Sequence, residues 1–135
     1  MKVLGTPMSG CTRAVLTVCK QQGIDITFDL IPRGAQFEEA YGEMNPHRKF
    51  PVLVDGDTKV YEHLAIIKYI LDSKKPDTPI YPKDPKKRAK IEEATNTFND
   101  LRVQMNVLTY AKFHHKMKKL PPPPEATVKK ATDYV

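Results

Sequence analysis

The sequence predicts an α/β domain built on one mixed four-stranded sheet, followed by a helical segment that is incomplete as a domain. Three observations carry this. Short apolar runs alternate with amphipathic stretches through residues 1–75, in the order βαβαββα. Residues 74–82 then hold Pro76, Pro79 and Pro82 amid charge, a composition break of the kind that separates domains. Beyond it, apolar residues keep a three-to-four spacing from Ala89 to Leu108, as in one long helix. The expected boundaries are 1–75 for the α/β domain, 76–82 for the linker and 83–135 for a partial all-α domain.

The elements follow in order. Lys2-Val3-Leu4-Gly5 reads as a brief strand stopped by Gly5, Thr6 and Pro7. Cys11, Val15, Val18 and Cys19 can share one helical face, so a helix is expected from Ser9 or Thr12 to Gln22, ended by Gly23. Ile24, Ile26, Phe28 and Leu30 alternate with Asp25, Thr27 and Asp29, the period of a half-buried strand. Pro32-Arg33-Gly34 breaks it, and residues 37–44 form a weakly amphipathic helix before the Asn45-Pro46 turn. Val52-Leu53-Val54 and Lys59-Val60-Tyr61 flank the turn signal Asp55-Gly56 and make an antiparallel hairpin. Leu64, Ile67, Tyr69, Ile70 and Leu71 carry a helix to about Ser73. In the second segment Asp84 caps a helix with Pro85 in its first position, and that helix runs to about Lys119. Residues 121–124, all proline, end it, and residues 126–135 begin another helix. A helix that long needs its apolar face buried by further chain, a second copy, or both.

Composition narrows the function classes. With 135 residues, 40% of them apolar, the chain can bury one compact domain plus part of a second. No apolar run approaches the ~20 residues that cross a bilayer, and the first residues lack a signal peptide's pattern, so a soluble cytoplasmic protein is expected. Cys11 and Cys19 form neither a paired redox motif nor a metal framework. The +6 charge is uneven: residues 1–73 are nearly balanced, and the excess of Lys and Arg lies in residues 74–119. Those basic residues are not interleaved with stacking aromatics, which argues for solvated helix surface over a nucleic-acid partner. His47, His63, His114 and His115 offer no metal geometry.

The chemistry-bearing stretch is Lys49-Phe50-Pro51-Val52-Leu53-Val54. Pro51 cannot donate to a central ladder, so the run is either an edge strand or one that Pro51 opens after a tight turn; that bond can be cis, or Pro51 can be an ordinary trans proline opening a hairpin strand. A proline-led strand beside a cleft leaves the backbone of Val52 available to a ligand's own main chain, the strand-addition mode of peptide recognition. Ser9, at the start of the first helix, has no histidine or carboxylate neighbour to make a triad. Its hydroxyl can donate to a thiolate and lower that thiol's pKa; the competing role is that Ser9 or Thr12 simply caps the helix. Cys11 is a first-turn thiol that could itself react. Glu62 joins the fourth strand to the third helix, where a carboxylate can take an ammonium group while the helix start takes an anion, a pairing suited to an amino acid's zwitterion.

Four stretches in order resemble the cytosolic glutathione transferases of the serine type, the theta, phi, delta and epsilon classes. They are Pro7-Met8-Ser9-Gly10-Cys11-Thr12-Arg13, Asn45-Pro46-x-x-Lys49-Phe50-Pro51-Val52-Leu53-Val54-Asp55, Tyr61-Glu62-His63-Leu64-Ala65-Ile66, and Tyr81-Pro82-Lys83-Asp84-Pro85. The resemblance implies a thioredoxin-like domain followed by a truncated helical domain, acting as a homodimer with glutathione as co-substrate and small electrophiles as partners. By position it implies that Ser9 steadies the glutathione thiolate, Pro51 is the cis-proline, and Val52 pairs with the cysteinyl backbone. It likewise implies that Glu62 holds the γ-glutamyl end, and that Lys49 and Gln36 reach the glycyl carboxylate or nearby groups. His63 stands where the family carries a serine, and an imidazole can also donate there. Conjugation is the leading expectation. The alternatives are a non-catalytic interaction module and a glutathione-dependent thiol reductase using Cys11.

Overall fold

A computed structural model of the chain describes residues 1–32 and 34–135. They divide into two compact units, Met1–Lys83 and Asp84–Val135. The first unit contains β1 (Lys2–Gly5), α1 (Gly10–Gln21), β2 (Thr27–Leu30), a single 3₁₀ turn (Ala35–Phe37), α2 (Glu39–Met44), β3 (Val52–Asp55), β4 (Thr58–Tyr61) and α3 (His63–Lys74). The strands form one sheet in the order β2-β1-β3-β4, with β1 and β2 parallel and the other pairs antiparallel. The predicted thioredoxin-like, mixed four-stranded fold is therefore present.

Strand alternation assigns the two faces. Val3 and Leu53 point to one side, where they bury with Val15 and Cys19 of α1 and Ile66 and Ile70 of α3. Leu4 and Val52 point to the other, against Tyr41 of α2. Each fully buried aliphatic side chain in such a core contributes about 1.5–3 kcal/mol.

Several details differ from expectation. β2 begins at Thr27, not Ile24, because β1 offers only four residues of ladder; Ile24 and Ile26 still pack on the core from outside the sheet. The helix expected over residues 37–44 splits, since Glu38 is extended (φ −67°, ψ 152°) between the 3₁₀ turn and α2. In α1 the buried face runs through Thr12, Val15 and Cys19, with Cys11 only half-buried beside it. Thr12 lies so close to β1 that a Cβ on Gly5 would stand 2.7 Å from its Oγ1, so glycine at position 5 is what lets helix and strand approach. Of the Pro32-Arg33-Gly34 break, Arg33 lies outside the described residues.

The second unit contains α4 (Pro85–Thr109), a π-helical stretch (Tyr110–His114), α5 (His115–Lys118) and α6 (Glu125–Tyr134). Asp84 caps α4 by accepting the Lys87 N–H at 2.8 Å, with Pro85 in the first position. The long helix is thus not one α-helix: the π-helical stretch interrupts it, and His115 Nδ1 lies 2.9 Å from the Tyr110 carbonyl oxygen there. Lys119, left-handed at φ 54°, ends it just before the proline run. α6 packs on α4 and buries Ala131.

Candidate functional site

One row of the sheet organises the site. Leu4 pairs with Val52, and Val52 pairs with Tyr61. β1 and β4 run toward this end of the sheet and β3 runs away from it. The chain leaving β1 toward Ser9, the chain entering β3 through Lys49 and Pro51, and the chain leaving β4 into Glu62 therefore meet at a single end. β2, parallel to β1, delivers the segment leading to Gln36 to that same end.

Ser9 occupies the N-cap of α1, where its Oγ accepts the N–H of Thr12 at 3.3 Å. The cap is thus Ser9 and not Thr12, whose buried Oγ1 has no partner among the described residues. Capping does not consume the hydroxyl, because the Ser9 proton remains to be donated while its oxygen accepts. The turn before it is braced by the Ser9 N–H donating to Thr6 O at 3.0 Å and by Arg13 Nη1 donating to Pro7 O at 2.7 Å. A helix N-terminus and a hydroxyl donor stand together here, both favouring a negatively charged ligand atom.

The Phe50-Pro51 bond is cis. Pro51 is buried just before the ladder, and β3 lies between β1 and β4, so the edge-strand alternative is wrong. The loop leading to it is held from within the unit. Tyr41 OH and Asn45 Nδ2 both donate to the Lys49 carbonyl, at 3.0 and 2.7 Å, and Asn45 Oδ1 accepts the His47 N–H at 3.0 Å. Burial pushes the Tyr41 hydroxyl up to about 12, so it stays a donor at any physiological pH.

Glu62 is the N-cap of α3 at φ 70°, ψ 116°, with no side-chain capping bond, and it is exposed. A non-glycine residue at positive φ is costly and persists where neighbours over-determine it, a condition common at ligand sites. Here the Glu62 carbonyl accepts the first turn's Ile66 N–H at 2.9 Å, and the next residue, His63, is buried as the first residue of α3. The carboxylate of Glu62 is thereby left facing solvent beside a helix N-terminus.

Gln36 sits in the 3₁₀ turn with its Oε1 accepting the Gly34 N–H at 2.9 Å, an orientation in which its amide N–H groups are the part a carboxylate would meet. Lys49 is exposed. Cys11 lies in the first turn of α1, two residues past Ser9, while the buried thiol of Cys19 is pushed above its ordinary range by desolvation. A cavity of about 430 Å³ lined by Gln21, Gln22 and residues 74–79 opens at the C-terminal ends of α1 and α3, and none of these residues belongs to the site. Among the described residues no group of His, Cys, Asp or Glu could hold a metal.

Sequence reasoning missed the supporting roles of Arg13, Tyr41 and Asn45, and that of Arg48, whose guanidinium donates to the Phe37 and Glu38 carbonyls. The Asn45-Pro46 turn is legible in the sequence, but not that the Asn45 side chain holds the Lys49 carbonyl. The others act on carbonyls that are distant in sequence or carry no side-chain signature.

A family model described as the glutathione S-transferase N-terminal domain matches residues 4–79. Glutathione S-transferase D7 of Drosophila melanogaster is 37% identical over 90 residues, 64% of this chain and 40% of that protein. Mouse glutathione S-transferase theta-3 is 36% identical over 89 residues, 64% of this chain and 36% of its own length. Among solved structures, a Nilaparvata lugens delta-class glutathione transferase aligns over 98% of this chain and 62% of its own, with TM-score 0.76 and 29% identity. Human glutathione transferase theta-2, solved with glutathione and an unknown ligand, aligns over 98% of this chain and 56% of its own, with TM-score 0.84; at 21% identity it bears on the fold alone. The matched stretch covers only 40% and 36% of the length of these two curated relatives.

Proposed function

The chain belongs to the glutathione S-transferase family, and from that membership we propose that it binds glutathione at the Ser9–Val52–Glu62 end of its sheet and conjugates the thiolate to small electrophiles. The observation that carries the reading is the register Leu4–Val52–Tyr61, which aligns three chain segments whose chemistries suit three parts of one tripeptide.

The Ser9 hydroxyl donates to the glutathione sulfur, and with the N-terminus of α1 it favours the thiolate over the thiol. The Val52 backbone pairs with the cysteinyl unit. The Glu62 carboxylate accepts from the γ-glutamyl ammonium, and His63 with the start of α3 meets the adjacent carboxylate. Lys49 and Gln36 take the glycyl carboxylate. The thiol proton passes to solvent. The sulfur lone pair then forms a bond to the electrophilic carbon, and the leaving group departs with its bonding pair or, in an addition, the displaced π pair is protonated. Orientation and a lowered thiol pKa are the enzyme's contribution.

The same reading places the protein in the cytoplasm as a homodimer. Its unpaired thiols suit a reducing compartment, and among the described residues no helix is long and apolar enough to cross a membrane. A second reading, a non-catalytic interaction module, is favoured by one observation: α4 leaves Phe98 61% exposed and Met105 44% exposed.

Retention on immobilised glutathione and conjugation of a chromogenic electrophile test the first reading. Ser9→Ala is expected to lower conjugation near neutral pH by about tenfold or more, with the rate recovering as pH rises. Partner association without any glutathione retention would transfer the weight to the second.

A further inference from the structure

Residues 35–49, which hold the 3₁₀ turn, α2 and the turn after it, form a looped-back segment whose two arms are tied by one side chain. Arg48 Nη1 donates to the carbonyl oxygens of Phe37 at 2.6 Å and Glu38 at 2.9 Å. The guanidinium fits because position 42 is glycine: a Cβ there would stand 2.6 Å from Nη2 and 2.8 Å from Cζ. Arg48 itself is left-handed at φ 53°, an unfavourable conformation for a residue with a side chain. It is fixed from both ends, since its own N–H donates to Asn45 O at 2.9 Å while its fork grips the other arm.

The consequence is positional. Gln36 immediately precedes the gripped Phe37, and Lys49 immediately follows Arg48. The Lys49 carbonyl is separately pinned by Tyr41 and Asn45. The backbone that carries Gln36 and the backbone that carries Lys49 are therefore tied together by a guanidinium whose hydrogen bonds go to the Phe37 and Glu38 carbonyls.

We infer that Arg48 is a positioning residue that holds Gln36 and Lys49 as one carboxylate-binding edge without touching the ligand. The inference rests on the reading that this end of the sheet binds glutathione, and it assigns the grip to the glycyl carboxylate. Two substitutions separate positioning from direct contact. Arg48→Gln removes the fork. Gly42→Ala keeps Arg48 but displaces its guanidinium from the carbonyls, and the obstructing atoms are the far end of a flexible side chain, so the fold survives.

The experiment is calorimetric titration of glutathione, and of γ-glutamylcysteine, which lacks the glycyl carboxylate, onto the parent chain and both variants. Amide hydrogen exchange over residues 35–44 is followed in parallel. Glutathione is expected to bind about tenfold more weakly to Arg48→Gln and at least about threefold more weakly to Gly42→Ala. The dipeptide is expected to bind all three alike, and exchange in the loop to quicken in both variants. Unchanged glutathione affinity in both variants overturns the inference. So does weakening confined to Arg48→Gln, which would mean direct contact, and so does equal weakening for tripeptide and dipeptide, which would mean general loosening. A parent chain that binds neither peptide overturns the glutathione reading and this inference with it, and is recognised because the parent itself fails.

Discussion

Met1–Lys83 closes a core on both faces of its sheet, whereas in Asp84–Val135 the only buried residue among those described is Ala131. Both units carry apolar residues at regular spacing, so periodicity alone does not separate them. The difference is geometric. A four-stranded sheet has two faces that its own helices α1, α3 and α2 can cover, while a helix of 25 residues with one ten-residue partner leaves most of its circumference open. Phe98, Val103, Met105 and Phe113 are exposed as a result. Apolar spacing therefore reports which residues could be buried, and only the number of covering elements decides which are.

The sharpest way to break this contrast is to cut into each unit. Leu53→Ala, at a fully buried position between the two halves of its layer, is expected to cost roughly 2–5 kcal/mol in denaturant unfolding. Phe98→Ser, on the open side of α4, is expected to change stability by no more than about 0.5 kcal/mol. A loss of several kcal/mol at position 98 would mean that the face is covered in solution.

Asn45→Ala comes next. It leaves the Lys49 carbonyl with one donor and removes the acceptor for the His47 N–H, all at a 2%-exposed position, for a cost of about 1–3 kcal/mol. In the helical unit a comparable local device is the Asp84 cap. Asp84→Ala is expected to cost about 1 kcal/mol and to appear as lost helical ellipticity, leaving the sheet's amide exchange unchanged.

The smallest effect at neutral pH is the one that titrates. The Tyr41 hydroxyl is raised from 10.0 to about 12 by burial, so the folded chain holds that proton more tightly than the unfolded chain. Its contribution is fully present below pH 10 and is lost as pH climbs toward 12. Alkaline unfolding curves of the parent should therefore fall more steeply across that window than those of Tyr41→Phe. Coincident curves would show that the hydroxyl is not buried as described.

Much of the candidate site was legible in the chain. Ser9 followed by a helical run, a proline at the head of an apolar strand, and Glu62 at a strand–helix junction each carry a local chemical signal. Arg48 and Gly42 do not, because their relation exists only when residues 37, 38, 42 and 48 are brought together. The extent of the second strand was misread for a related reason: alternation of Ile24, Ile26 and Phe28 records burial, and a strand also needs a partner backbone along its whole length.

By itself, then, the sequence determined the order of the main elements, the helix start at Asp84, and which residues are candidates to meet a thiolate and an amino-acid zwitterion, since each depends on neighbours within a few positions. The tertiary structure alone decided that β3 is interior, that Thr12 and not Cys11 meets β1, that a π-helical stretch interrupts the long helix, and that Arg48 closes the loop. Those outcomes depend on which backbone groups meet across the fold, and no local pattern of residues encodes that.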